Sequence, residues 1–216
     1  MISKAKQPLT KERIIQASYD YADRHGIEAL SMRAIADSLN VKAMSLYNHV
    51  QNKEEILDAL IDKVISEITV PDIHQNWRTA LEARAHSTYQ VLLKHRWVLL
   101  PITARKNSGP AMLIYFDRSL SCLHNSGFSL IEADYALNAI DSYTYGFVHI
   151  QTNFPIDEPQ YAETAQEHLD LIPRADYPAL HDLSRLVIEQ TYNGVPDFQF
   201  GLEFILGGLE KLLKNR

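Results

Sequence analysis

From Thr10 to Pro71 the chain is punctuated by helix starts and stops set too close together for anything but short helices. Thr10, Ser31 and Asn52 each supply a side-chain oxygen that can accept a free backbone N–H at a helix start. Gly26, the pair Asn40-Val41 and Pro71 are where helices end or turn. Between these marks apolar residues recur at helical spacing. Ile14, Ala17, Ser18, Tyr21 and Ala22 form the first stripe, and Ile35, Ala36 and Leu39 the second. Leu46 is the main inward residue of a third helix near 42–49. A fourth helix begins at Asn52 and Glu55, which have capping-box spacing, and is stopped by Pro71. It turns Ile56, Leu57, Leu60, Ile61, Val64, Ile65 and Ile68 inward.

Proline and glycine divide the remainder in the same way. Helices are expected over 77–95, 97–103 (interrupted by Pro101), 111–126, 129–152, 179–192 and 196–213, with a polar stretch at 161–178 of uncertain form. Ser129 and Glu132 form a second capping box. No strand-like alternation with hairpin turns occurs. The fold class is therefore all-α: a head over 1–55 that carries a helix-turn-helix, linked by a helix to a helical body over 56–216.

Charge sharpens this division. The 216 residues carry a net charge of −6, at first sight unfavourable to nucleic acid. Residues 1–49, however, hold seven lysines and arginines against five acids, a net of +2, and the remainder is −8. A basic head on an acidic body localises where phosphate can dock. Cys122 is the sole cysteine, so no intramolecular disulfide can form, and the expected compartment is reducing and cytoplasmic. Met1 to Pro8 lack the apolar core of a signal peptide, and no apolar run is long enough to span a membrane. The nine histidines include no metal-binding i, i+4 pair, and no nucleophile elbow or phosphate-cradling glycine loop occurs. Neither a metal nor another cofactor nor an enzyme activity is expected.

Two short helices around a tight turn, the second apolar on one side only, have the form of a helix-turn-helix. Ala36 is small enough for close helix crossing, and Ile35, Leu39, Val41 and Leu46 make a small core. Lys42, Ala43, Met44, Ser45, Tyr47, Asn48 and His49 then face outward, where an α-helix can enter the major groove of double-stranded DNA. Asn48 suits a bidentate contact to adenine, and Ala43 and Met44 suit thymine methyls. Tyr47, His49, Lys53 and the helix start at Ser31, Met32 and Arg33 suit phosphates. A plain helical hairpin is the alternative that periodicity alone leaves open.

The run Gly26-Ile27-Glu28-Ala29-Leu30-Ser31-Met32-Arg33-Ala34-Ile35-Ala36 and the run from Val41 to Lys53, with Leu46-Tyr47-x-His49 and Asn52-Lys53, resemble the tetracycline-repressor (TetR/AcrR) family of transcriptional regulators. The body resembles that of the tetracycline repressors themselves at Lys94-His95-Arg96, Gly127-Phe128-Ser129, Tyr135-Ala136-Leu137, Gly146, Phe200-Gly201-Leu202-Glu203 and Gly208-Leu209-Glu210. The resemblance implies a homodimeric regulator, a repressor released from a palindromic operator by a small-molecule effector. It also shows departures. Where those repressors place a metal-coordinating histidine this chain has Ile102. Thr69, Arg84 and Ile150 stand at their drug-binding histidine, asparagine and glutamate, so a magnesium–tetracycline site is not expected. Ala43-Met44 and Asn48 replace a polar residue, a proline and a tryptophan, which implies a different operator.

The same resemblance places Arg84, Thr88, Ile102, Phe116, Ser119 and Asp141 at effector-pocket positions, and Tyr115 and Tyr145 are helical neighbours able to join them. Two other readings stay open: the aromatic residues are core, and Arg84 with Asp141 is an ion pair. Ala133, Ala136, Leu137 and Ile140, with Leu202, Ile205, Leu206 and Leu209, suit a four-helix bundle between two subunits, or packing within one. Two rival functions remain at this point: an enzyme using the helical pocket, and a ligand-binding or adaptor protein whose helix-turn-helix no longer binds DNA.

Overall fold

The computed structural model describes residues 8–154 and 160–215. Eleven α-helices occur among them: α1 (Lys11–His25), α2 (Met32–Ser38), α3 (Ala43–Leu46), α4 (Lys53–Ile65), α5 (Trp77–Lys94), α6 (Leu99–Ala104), α7 (Pro110–Asn125), α8 (Leu130–Asn153), α9 (Tyr161–His168), α10 (Pro178–Ile188) and α11 (Phe198–Lys214). No strand occurs among the described residues.

The expected caps form. Thr10, Ser31 and Ser129 accept the backbone N–H three residues on, Gly26 ends α1 at φ 80°, and Asn40 takes the helix-turn-helix bend at φ 53°. The box at α4 is shifted. Asn52 accepts from the Glu55 amide, but the Glu55 carboxylate returns to the amide of Gln51 rather than Asn52.

Three departures from expectation have local reasons. The third helix is one turn, Ala43–Leu46, because the amides of His49 and Val50 both return to the Leu46 carbonyl and close the chain into a turn. α4 ends at Ile65, before Pro71: the β-branched Thr69 and Val70 precede a proline that disfavours helix at 70, and the Thr69 amide leaves to bond Ser87 Oγ at 2.8 Å. Pro101 does not interrupt α6, since it is the third helical residue and its missing N–H has no intrahelical role there.

The core has two parts. One joins the head to the near side of the body, running from Ile14, Leu30, Ile35, Leu46 and Ile56 through Leu60, Ile61 and Val64 to Leu92, Val98, Met112 and Tyr115. The other fills the body between α5, α7, α8 and α11, around Leu81, Ala85, Leu123, Phe128, Leu137 and Leu202. α4 belongs to the first, so it is packed against head and body alike.

The residues read from sequence as a bundle between subunits lie in this second core. Ala133, Ala136, Leu137, Ile140, Leu202 and Leu206 are buried within one chain, and Ile205 and Leu209 pack against them. The outward faces of the same helices carry Leu130, Ile131 and Tyr135 on α8 and Phe200 and Phe204 on α11, the last 69% exposed. The apolar residues read from the sequence thus pack within one chain, and a second apolar face on each helix stays outside.

Candidate DNA-binding and effector sites

In the head the buried Leu46 anchors α3 and leaves its neighbours outside. Lys42, Met44, Tyr47, Asn48 and His49 are exposed, Met44 to 75%. Arg33 is exposed at the start of α2, its guanidinium only loosely paired with Asp37 at 3.9 Å. Ser45 and Lys53 are half-buried. Met32 and Ala43 pack partly against the head's core, which leaves them less surface for DNA than the sequence suggested. The Ser31 hydroxyl is taken up in accepting from the Ala34 amide at 3.1 Å.

Sequence reasoning missed how this surface is held. The Lys11 ammonium of α1 pairs with the Glu55 carboxylate, which also accepts from Gln51 N at 2.6 Å. The Gln51 amide bond first, and then Lys11, hold the Glu55 carboxyl below its usual range. The start of α4, and Lys53 with it, is thereby tied to α1.

In the body, Arg84, Thr88, Tyr115 and Asp141 meet. Arg84 is fully buried and forks onto Asp141 with bonds of 2.8 and 2.9 Å. Its guanidinium carbon lies 4.1 Å from the Tyr115 ring centre. Thr88 Oγ1 is 3.1 Å from the Tyr115 hydroxyl, which lies 3.5 Å from Asp141. Burial disfavours the Arg84 charge, but the Tyr115 and Asp141 neighbours outweigh it and keep the group protonated. Burial, then the Asp141 charge, raises the Tyr145 phenol well above its usual value. The Nε of Arg84 is buried with no hydrogen-bond partner. A low-dielectric donor left unsatisfied is costly, and an acceptor reaching it would gain the more.

The other expected pocket residues divide. Ser119 is buried but its hydroxyl donates to the Tyr115 carbonyl at 2.6 Å, and Ile102 is buried in the core that joins head to body. Phe116 faces outward on α7, 41% exposed, away from the buried group, because it lies one residue from Tyr115 and so a quarter-turn around the helix. Thr69 and Ile150 are exposed, and neither they nor Ile102 offers a histidine or carboxylate. The donor set does not fit a magnesium–tetracycline complex. Among the described residues no group of three or more His, Cys, Asp or Glu could hold a metal ion. Cys122 is buried, which pushes its thiol up and away from reactivity.

Three open cavities lie away from this group. One of about 410 Å³ separates α4 from the 106–112 segment and is lined by Asp58, Asp62, Lys63 and Lys106. Two more, of about 380 and 550 Å³, share Phe147, Val195 and Pro196.

Between head and body lies a junction that periodicity could not show. His95, at the end of α5, is fully buried, with Nδ1 2.6 Å from Asp23 and Nε2 2.8 Å from the Tyr19 hydroxyl and 3.3 Å from Glu67. Trp97 Nε1 donates to Asp23 at 2.7 Å, and Lys94 to Glu67 at 2.7 Å. Burial opposes ionisation of Glu67, but bonds from Lys94, Tyr19 and His95 outweigh it and lower the carboxyl to about 2. At the far end of α4, Arg105 reaches Glu54 and Asp58. α4 is thus held by charge at both ends.

Comparison with known proteins agrees with this architecture. The family described as "Bacterial regulatory proteins, tetR family" matches residues 14–60, and "Tetracyclin repressor-like, C-terminal domain" matches residues 70–213. The chain is 33% identical to the HTH-type transcriptional repressor DrrR1 of Streptomyces coeruleorubidus, over 98% of this chain and 81% of that protein. It is 31% identical to the class C tetracycline repressor protein of Escherichia coli, over 94% and 92%. The structure of ActR from Streptomyces coelicolor in complex with actinorhodin superposes with a TM-score of 0.79 at 27% identity, covering 94% of this chain and 98% of that one. No described helix is long and apolar enough to cross a membrane. The helix-turn-helix head, the helical body and these matches have one reading: the chain belongs to the tetracycline-repressor family of DNA-binding transcriptional regulators and is not an enzyme.

Proposed function

We propose that this protein is a cytoplasmic repressor that binds a palindromic operator as a homodimer and lets go when a small molecule enters the body. The head, taken as residues 1–55, contacts DNA with Lys42, Ala43, Met44, Ser45, Tyr47, Asn48 and His49, and with Ser31, Met32, Arg33 and Lys53 on the flanking phosphates. The body, residues 56–216, dimerises and senses. The exposed apolar faces of α8 and α11 meet their copies across a two-fold axis, since patches of this kind mark protein interfaces. Two heads on successive major grooves then sit roughly 34–36 Å apart.

The observation that carries the sensing role is the buried Arg84–Asp141 pair with the unsatisfied Arg84 Nε and the Tyr115 ring beneath it. Such a group recognises a small molecule bearing an oxygen acceptor, which takes the free Nε–H once the body opens to admit it. ActR has been solved with actinorhodin and with (S)-DNPA, which supports a small-molecule effector in this architecture. Thr88, Ser119, Tyr145 and Ile102 complete the proposed site, and the outward Phe116 is left out of it. Isoleucine at 102 takes it away from metal-chelated drugs. The effector weakens DNA binding only through its higher affinity for the body conformation in which the heads are mis-spaced.

A gel-shift titration with duplexes selected by the protein from a random library tests this reading. Salt-sensitive, sequence-selective binding by a dimer is expected. Binding that ignores sequence, or none, overturns it.

A further inference from the structure

α7 begins at Pro110, and its N-cap, Gly109, has no side chain to cap it. The two amides that an N-cap side chain serves, those of the second and third helical residues, are Ala111 N and Met112 N. Both are taken by Asp62 of α4, at 3.3 Å to one carboxylate oxygen and 3.0 Å to the other. A Cβ built on Gly109 would fall 2.2 Å from Asp62 Oδ1 and 2.3 Å from its carboxyl carbon. Gly109 has an ordinary extended backbone, φ −66° and ψ 157°, which any residue adopts. Glycine is therefore required by the space the Asp62 carboxylate fills, not by conformation. The helix cap, ordinarily a local device, is here supplied by a different helix.

We propose that Asp62 is a positioning residue that couples the operator-bound head to the body, by making the first turn of α7 depend on the placement of α4. This rests on the proposed regulatory function. α4 starts beside the recognition surface, and α7 carries Tyr115 in the Arg84–Asp141 group. Movement of α4 draws the carboxylate off the Ala111 and Met112 amides, and a shift of α7 pushes on α4 by the same contact. Linkage requires both directions. The Arg105 pairs reach the exposed carboxylates of Glu54 and Asp58, whereas the Asp62 contact is a two-point hydrogen bond on a helix terminus.

The test separates capping from coupling. Asp62→Ala removes both, and lowers Tm by roughly 3 °C, the expected loss for one helix cap in a chain of this size. Asp62→Ala with Gly109→Ser places a hydroxyl in the vacated space, so α7 is capped from its own chain and Tm returns to within about 1 °C. Hydrogen exchange over 107–125 is then read with and without the library-selected duplex. In the natural protein, duplex binding should change exchange there by on the order of fivefold. In the double variant, which still binds duplex, that change should vanish, while Asp62→Asn, which keeps one acceptor oxygen, retains part of it. An undiminished response in the double variant, or an unresponsive α7 in the natural protein that binds duplex, overturns the proposal alone. A natural protein that selects no duplex overturns the functional reading and this proposal with it.

Discussion

The head and the body distribute polarity in opposite ways. In the head the interior is mostly aliphatic, from Ile14 to Leu46, and the polar side chains Arg33, Lys42, Asn48 and His49 stand in solvent with Met44 and Tyr47 among them. In the body a guanidinium and a carboxylate are buried together, while Phe200, Phe204, Ile131 and Tyr135 are exposed. The body's arrangement is costly for a monomer at rest and reasonable for a surface awaiting its partner, whereas the head's is stable on its own. Outward polar groups lose little by exchanging water for phosphate. Outward aromatics gain on leaving water, and buried charge discriminates strongly between ligands that do and do not complete its hydrogen bonds.

The sharpest way to break the contrast is to orphan the buried charge. Asp141→Ala leaves the Arg84 guanidinium without its partner and should destabilise by about 3–5 kcal/mol, read as a large drop in thermal midpoint. Arg84→Met with Asp141→Leu, which removes both charges, should recover most of that loss yet abolish the effector response. A single variant as stable as the natural protein would show that the pair is not desolvated.

Next in size is the exposed aromatic face. Phe204→Glu should convert dimer to monomer in sedimentation and weaken operator binding by at least about a hundredfold, since a lone head forfeits the linked second contact. A dimer that survives this change places the interface elsewhere.

Within the head, Tyr47→Ala should weaken binding by about tenfold on every duplex, and Lys53→Ala should also lower the slope of log affinity against log salt by about one. Asn48→Ala should instead alter which duplexes the library yields. A uniform loss for Asn48→Ala would remove it from base reading.

The smallest expected effect lies at the junction. Glu67 has a carboxyl lowered to about 2 in the folded chain from an ordinary 4.5. A lowered folded value means stability present above about pH 4.5 that is lost as pH falls towards 2. Thermal midpoints of the natural protein should therefore fall more steeply over that window than those of Glu67→Gln. Parallel curves would mean that the carboxylate is not held by Lys94, Tyr19 and His95.

Much of the fold was legible because its signals are local. Thr10, Ser31 and Ser129 act on amides three residues away, and a 3.6-residue stripe is a property of one helix. For the same reason Leu46 sufficed to place Met44, and Tyr47, Asn48 and His49 beyond α3, in solvent, whereas Ala43 and Ser45 are partly covered. The Arg84 group was reached only by resemblance, and Phe116, grouped with it there, faces away from it. The bundle faces were left open between two packings, because Ala133 and Tyr135 are both consistent with an interface until a third helix occupies one side.

The sequence by itself determined the all-α class and the helix-turn-helix. Both follow from residue type and short-range spacing. Tertiary structure alone decided that Arg84 forks onto Asp141 57 positions away, that His95 joins α1 to α5, and that Asp62 caps a helix to which it does not belong. These are contacts between distant segments whose partners are chosen by how helices pack, and no local pattern encodes them. Gly109 marks the boundary between the two: in sequence it is an ordinary break before a proline, and in the structure it is the space left for a carboxylate from another helix.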